Sequence, residues 1–62
     1  MKNNLKIILT LQKKTQKQLA ENTGITESAI SRYIKGNRNP NSKSMLKIAD
    51  YLDLNVEDIW SY

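Results

Sequence analysis

The chain contains no cysteine and no histidine. Disulfide staples are therefore excluded, and so is a structural zinc site built from those ligands. No glycine-rich phosphate loop is present, and 62 residues leave little room for a catalytic pocket. Glu57 and Asp58 are adjacent carboxylates that point in different directions from a short helix, unlike an acid/base pair. These absences argue against an enzyme, a bound metal and a cofactor. The apolar run Ile7-Ile8-Leu9, cut by Thr10 before Leu11, is too short for a membrane span or a signal-peptide core. A soluble, cytoplasmic protein is expected. A single domain over 1–62 is also expected, near the lower size limit for an unaided core.

Charge of one sign is scarce in the first part of the chain and missing from the last. Residues 1–47 hold all ten Lys and Arg and, of the acids, only Glu21 and Glu27, a net +8. Residues 48–62 hold Asp50, Asp53, Glu57 and Asp58 and no base, a net −4. A basic body with an acidic end suits a protein whose one face meets a polyanion.

Apolar residues recur at helical spacing throughout. Leu5, Ile8 and Leu9 share a face of a first helix from about Leu5 to Lys14, capped by Asn3 or Asn4. Ile7 and Leu11 widen that face and imply cover on more than one side, and Lys13 and Lys14 fall in the last turn, where they complement the helix dipole. Thr15 and Gln18 match a capping box, so a second helix starts near Gln16, buries Leu19 and Ala20, and stops at Gly24. Ile25 is apolar within the turn, as a turn pinned to the core requires. Thr26 caps a third helix, Glu27 to Lys35, ended by Gly36. At about 100° per residue, Ala29, Ile30, Tyr33 and Ile34 fall within about 140° of arc. Glu27, Ser28, Ser31, Arg32 and Lys35 fill the opposite arc. After the polar loop Asn37–Pro40, Asn41 or Ser42 caps a fourth helix with Met45, Ile48, Ala49 and Leu52 on one face. Asn55 and Asp58 open a last short helix carrying Val56, Ile59 and Trp60. Five helices and no strands are expected, without linker, repeat or low-complexity tract.

In spacing, Leu19, Ala20, Gly24, Ile25, Ile30 and Tyr33 resemble the helix-turn-helix of the Cro- and repressor-like (Xre-type) DNA-binding family. The likeness extends to Gln16, to the Gly36…Pro40 loop and to the segment LKIADYLDLNVEDI, and so covers nearly the whole chain. It implies an all-α, compact, five-helix domain of the lambda-repressor kind. It also implies that the third helix lies in the major groove of double-stranded DNA, with its N-terminal half at the base edges. Glu27, Ser28 and Arg32 would then read bases, Arg32 at O6 and N7 of guanine and Glu27 at the N4 amino group of cytosine. Gln16, at a helix N-terminus, would hold a phosphate, with Thr26, Ser31, Lys35, Asn37, Arg38 and Lys43 as further phosphate contacts. The plainer alternatives are that Arg32 pairs with Glu27 or Ser28 on a solvated helix, that Glu27 only complements the helix dipole, and that Gln16 serves only its own helix end.

A single copy reads few base pairs, so a homodimer on a palindromic operator is expected. Val56, Ile59, Trp60 and Tyr62 at the acidic end are the candidate interface; the alternative for Trp60 is that it seals the core. With nothing after Tyr62, regulation is expected to come through concentration, dimerisation or a second protein. The competing reading is a protein-interaction module, an antitoxin or anti-repressor type that also binds DNA. RNA binding is weaker, because Tyr33 is the one aromatic residue of the third helix and lies on its apolar arc.

The family commonly pairs an arginine in the first helix with a glutamate late in the third, and Leu9 and Ile34 stand at those places here. Losing one partner of a buried ion pair costs about 3–5 kcal/mol, whereas replacing both with apolar groups is neutral or stabilising. Leu9 is therefore expected to pack on Ile34. Leu9→Ala should destabilise the fold by about 2–5 kcal/mol in chemical denaturation, and an unchanged midpoint would show that the contact does not exist.

Overall fold

Residues 2–61 are described by the structure, a computed structural model, with the side chains of Lys2 and Ser61 excepted. Five helices form among the described residues: α1 (Leu5–Leu11), α2 (Gln16–Thr23), α3 (Glu27–Lys35), α4 (Ser42–Leu52) and α5 (Val56–Ile59). Two-residue strands, β1 (Lys2–Asn3) and β2 (Trp60–Ser61), pair antiparallel, with Asn3 opposite Trp60. The helical architecture is the expected one, and this short ladder is its one addition to a strand-free reading. Two residues are too few to show a period, so only the meeting of the chain's two ends reveals it.

The apolar faces converge on one core of Leu5, Leu9, Leu19, Ile30, Tyr33, Ile48, Ala49, Leu52, Ile59 and Trp60. Ala20, Ile25, Ala29, Ile34 and Met45 pack against it. The expected inward faces of α2, α3 and α4 thus stand, with Leu9 in the core and Ile34 at its margin. Among the described residues one buried residue is polar: the hydroxyl of Thr23 donates to the Leu19 carbonyl (2.7 Å) and accepts the Ile25 N–H (3.3 Å), tying α2 to the turn behind it.

Helix ends follow the expected caps where the sequence carries a signal. Thr15 accepts from the Gln18 N–H (3.1 Å), and Gln18 Oε1 accepts from the Thr15 N–H (2.9 Å). Thr26 and Asn41 cap α3 and α4 through the N–H groups of Ala29 (3.2 Å) and Ser44 (2.9 Å). Asp58 accepts from the Asn55 N–H (3.0 Å) at the start of α5. Gly24 and Gly36 end α2 and α3 with φ of 74° and 78°, the left-handed region that costs glycine nothing.

The first helix needs two corrections, at its end and on its outer face. It stops at Leu11, so Lys13 and Lys14 lie beyond it rather than in its last turn. Lys13 takes φ 55°, and the Lys14 and Lys13 N–H groups close back on the Leu9 (2.9 Å) and Thr10 (3.2 Å) carbonyls, a Schellman ending without glycine. Ile7 and Leu11 are 62% and 76% exposed, because only the i, i+4 pair Leu5 and Leu9 faces fully inward. At the start, Asn4 occupies the cap position without a side-chain cap bond, and Asn3 Oδ1 accepts the Leu5 N–H (3.1 Å) in its place.

Two left-handed positions are held by residues with a Cβ, Lys13 and Asp53 (φ 58°). Both are exposed, and Asp53 ends α4 in the same way through the Leu54 N–H on the Ala49 carbonyl (2.9 Å). This conformation costs an L-residue about 1–2 kcal/mol, part of which glycine returns by its freedom in the unfolded chain. Lys13→Gly and Asp53→Gly should each stabilise the domain by about 0.5–1 kcal/mol in thermal or denaturant unfolding.

Candidate nucleic-acid interface

The site is built on the α2–turn–α3 unit. Burial of Ile30 and Tyr33, with Ala29 and Ile34 half-buried, fixes which side of α3 faces the core. Glu27, Ser28, Arg32 and Lys35 are consequently exposed, and Ser31 is half-buried at the margin of that face. Arg32 makes no ion pair among the described residues. From Glu27 to Arg32 the helix rises about 7.5 Å. That is about two base-pair steps of about 3.4 Å.

Backbone donors surround these side chains. A helix leaves its first N–H groups without intrahelical partners. Thr15 takes that of Gln18, so those of Gln16 and Lys17 remain at the α2 terminus; Thr26 takes that of Ala29, so those of Glu27 and Ser28 remain at the α3 terminus. Gln16 is exposed beside the first pair. Thr26 is exposed too, and its oxygen is already engaged in capping, which leaves the hydroxyl hydrogen to donate. Asn37 and Arg38 are exposed in the loop after α3, where the Asn37 N–H closes the helix on the Arg32 carbonyl (3.0 Å). Lys43 is exposed in the first turn of α4, a helix that packs on α2.

Lys17, which the sequence reading leaves out, is exposed and lines one shallow groove with Glu21, Thr26 and Glu27 along α2, the turn and the start of α3. Its place beside Gln16 at a helix N-terminus is the one sequence signal that marks it.

The acidic end is gathered elsewhere. Asp50, Asp53 and Asp58 line a groove between α4 and α5, and Glu57 borders the next one with Leu46 and Val56. Among the described residues no group of three or more such side chains is arranged to hold a metal ion. Of the residues expected at a dimer interface, Ile59 and Trp60 are 0% and 5% exposed. They belong to the core of the single chain, which corrects that expectation: in so small a domain the last apolar residues are needed inside. Val56 is half-buried, and Tyr62 lies outside the described residues. No helix among the described residues is long and apolar enough to cross a membrane.

Comparison with known proteins agrees with this geometry. The chain matches the helix-turn-helix family over residues 5–59. It is 37% identical, over its whole length and 94% of the relative's, to an uncharacterized HTH-type transcriptional regulator of Methanocaldococcus jannaschii. It is 35% identical over 54 residues to the uncharacterized HTH-type transcriptional regulator YqaE of Bacillus subtilis, covering 87% of the chain and 47% of that protein. A stretch of 44 residues, 71% of the chain, is 46% identical to a part of the replication factor C small subunit of M. jannaschii that makes up 2% of that protein.

Proposed function

Because the chain belongs to the helix-turn-helix family, we propose that it binds double-stranded DNA sequence-specifically and represses transcription as a homodimer on a two-fold symmetric operator. The observation that carries this reading is the outward face of α3, whose Glu27, Ser28 and Arg32 are exposed while the opposite face is spent in the core. In this reading α3 enters the major groove, Arg32 bonds guanine O6 and N7, and Glu27 accepts from a cytosine amino group. Gln16 and the two free N–H groups at the α2 terminus hold a phosphate. Thr26, Ser31, Lys35, Asn37, Arg38 and Lys43 neutralise or bond neighbouring phosphates, and we add Lys17 to that set. The protein acts where the DNA is, in the cytoplasm, as a one-domain binding protein rather than an enzyme.

Two chains are needed because one α3 spans so few base pairs. With Ile59 and Trp60 inside the fold, the apolar surface left at the acidic end among the described residues is Leu46, 63% exposed, beside Val56. We place the dimer contact there. The same surface favours the second reading, a site for another protein, as in an antitoxin or anti-repressor, because Asp50 and Glu57 flank it.

Selection from random duplex DNA tests the first reading. It should yield a two-fold symmetric site with half-sites about 10–10.5 bp apart. Affinity should fall log-linearly with salt, and Arg32→Ala should lose about 1–3 kcal/mol per half-site of the selected site, relaxing preference at one base pair in each. Equal binding to unrelated duplexes, unchanged by Arg32→Ala, would sink the specific-repressor reading. For the dimer, Leu46→Asp should shift sedimentation from dimer to monomer at micromolar concentration without lowering the melting temperature. A wild-type chain that sediments as a monomer both free and on its site would favour the protein-partner reading.

A further inference from the structure

We propose that Asn3 is a positioning residue for α3, fixing the last turn of the helix that presents Arg32; the inference rests on the DNA-binding reading above. The half-buried carboxamide of Asn3 joins two elements 30 residues apart. Its Oδ1 accepts the Leu5 N–H (3.1 Å) at the start of α1, and its Nδ2 donates to the Tyr33 carbonyl (2.7 Å) in the last turn of α3. The backbone of Asn3 is itself fixed, opposite Trp60 in the β1–β2 ladder. An amide held by its oxygen on one side and by its own strand on the other has no freedom to follow α3. The donor is therefore a fixed point to which α3 is attached.

The acceptor is suited to the task. The last four carbonyls of a helix lack intrahelical partners, and that of Tyr33 takes the Gly36 N–H (3.1 Å) together with the Asn3 amide. Tyr33 follows Arg32 directly, so the bond fixes backbone one residue from the side chain assigned to guanine. The other end of α3 is held separately, by the Thr26 cap and by packing on α2. With the Tyr33 carbonyl released, α3 would keep the packing of Ile30 and Tyr33 on the core and loosen chiefly in its last turn. Displacement would be least at Glu27 and greatest at Arg32 and Lys35. Base recognition needs donor–acceptor distances of about 2.7–3.2 Å and good angles. Attraction to phosphates falls off only slowly with distance and tolerates such a shift. Loss of the bond should therefore reduce discrimination between DNA sequences more than it reduces affinity for DNA in general.

Asn3→Ser isolates the bond. Serine keeps an oxygen that can accept the Leu5 N–H, leaves the charge unchanged, and is too short to reach Tyr33. With the variant folded, affinity for the selected duplex should fall about tenfold, while affinity for a random duplex of equal length changes by less than about twofold. The loss should centre on the base pair that Arg32→Ala relaxes. A second readout needs no DNA. Amide hydrogen exchange should quicken at Gly36 and Asn37, whose N–H groups bond the Tyr33 and Arg32 carbonyls, and stay unchanged at Ala29 and Ile30. Equal loss on both duplexes, no loss on either, or unchanged exchange at Gly36 and Asn37 would each overturn the proposal. If the wild-type chain itself fails to discriminate between duplexes, the DNA reading fails, and the exchange data alone decide whether Asn3 holds α3.

Discussion

Unsatisfied carbonyls at helix ends are the constraint on which this fold turns. Each helix leaves its last four C=O groups without intrahelical partners. Helices of 7, 8, 9, 11 and 4 residues are mostly ends. Left-handed residues answer part of the demand at Lys13, Gly24, Gly36 and Asp53. Side chains from the first fourteen residues answer another part. Asn3 donates to Tyr33 (2.7 Å) at the end of α3, Asn4 to Asp58 (3.2 Å) in α5, and Gln12 to Leu52 (2.9 Å) at the end of α4. Lys14 reaches the Tyr51 carbonyl (3.4 Å), and its ammonium lies 4.4 Å from the centre of the Tyr51 ring. A cation there meets both the negative end of α4 and the face of an aromatic ring. The N-terminal segment thus binds three helix ends that local sequence leaves open.

This also explains which parts of the fold are legible in the residues alone. Thr15, Thr26, Asn41, Gly24 and Gly36 act on groups within a few positions of themselves, so α2 and α3 begin and end where those residues stand. The end of α1 obeys a distant need. Its chain turns at Lys13 so that Gln12 and Lys14 can reach α4, and lysine carries no mark of a left-handed conformation. The same holds for Asp53. Ile7 and Leu11 mislead because apolar character does not guarantee burial, and a seven-residue helix at the edge of a small core has only one inward row.

For the candidate interface, the division of α3 is legible because a helix repeats about every 3.6 residues and its buried half has to be apolar. The outward residues follow by exclusion, which says where they point and nothing of what they bind. Asn3 is legible only as a cap. Its bond to Tyr33 spans 30 positions, and no local pattern predicts a partner at that distance. For Ile59 and Trp60, apolar character near an acidic end suggests an interface. The shortage of core in a 62-residue chain draws them inside instead.

Trp60 shows how strong that draw is. Its indole Nε1 is buried and has no hydrogen-bond partner among the described residues, a loss of about 1–3 kcal/mol. A tryptophan side chain buries about 150–250 Å², worth about 4–6 kcal/mol at about 25 cal/mol per Å². Burial of the ring outweighs the missing bond, so the orphaned donor is tolerated. Its position adds a second effect. The Trp60 backbone pairs with Asn3, and Asn3 holds Tyr33, so burial of one side chain near the C-terminus also fixes the strand that fixes α3. Trp60 and the outward helix are in this way two ends of one short chain of contacts.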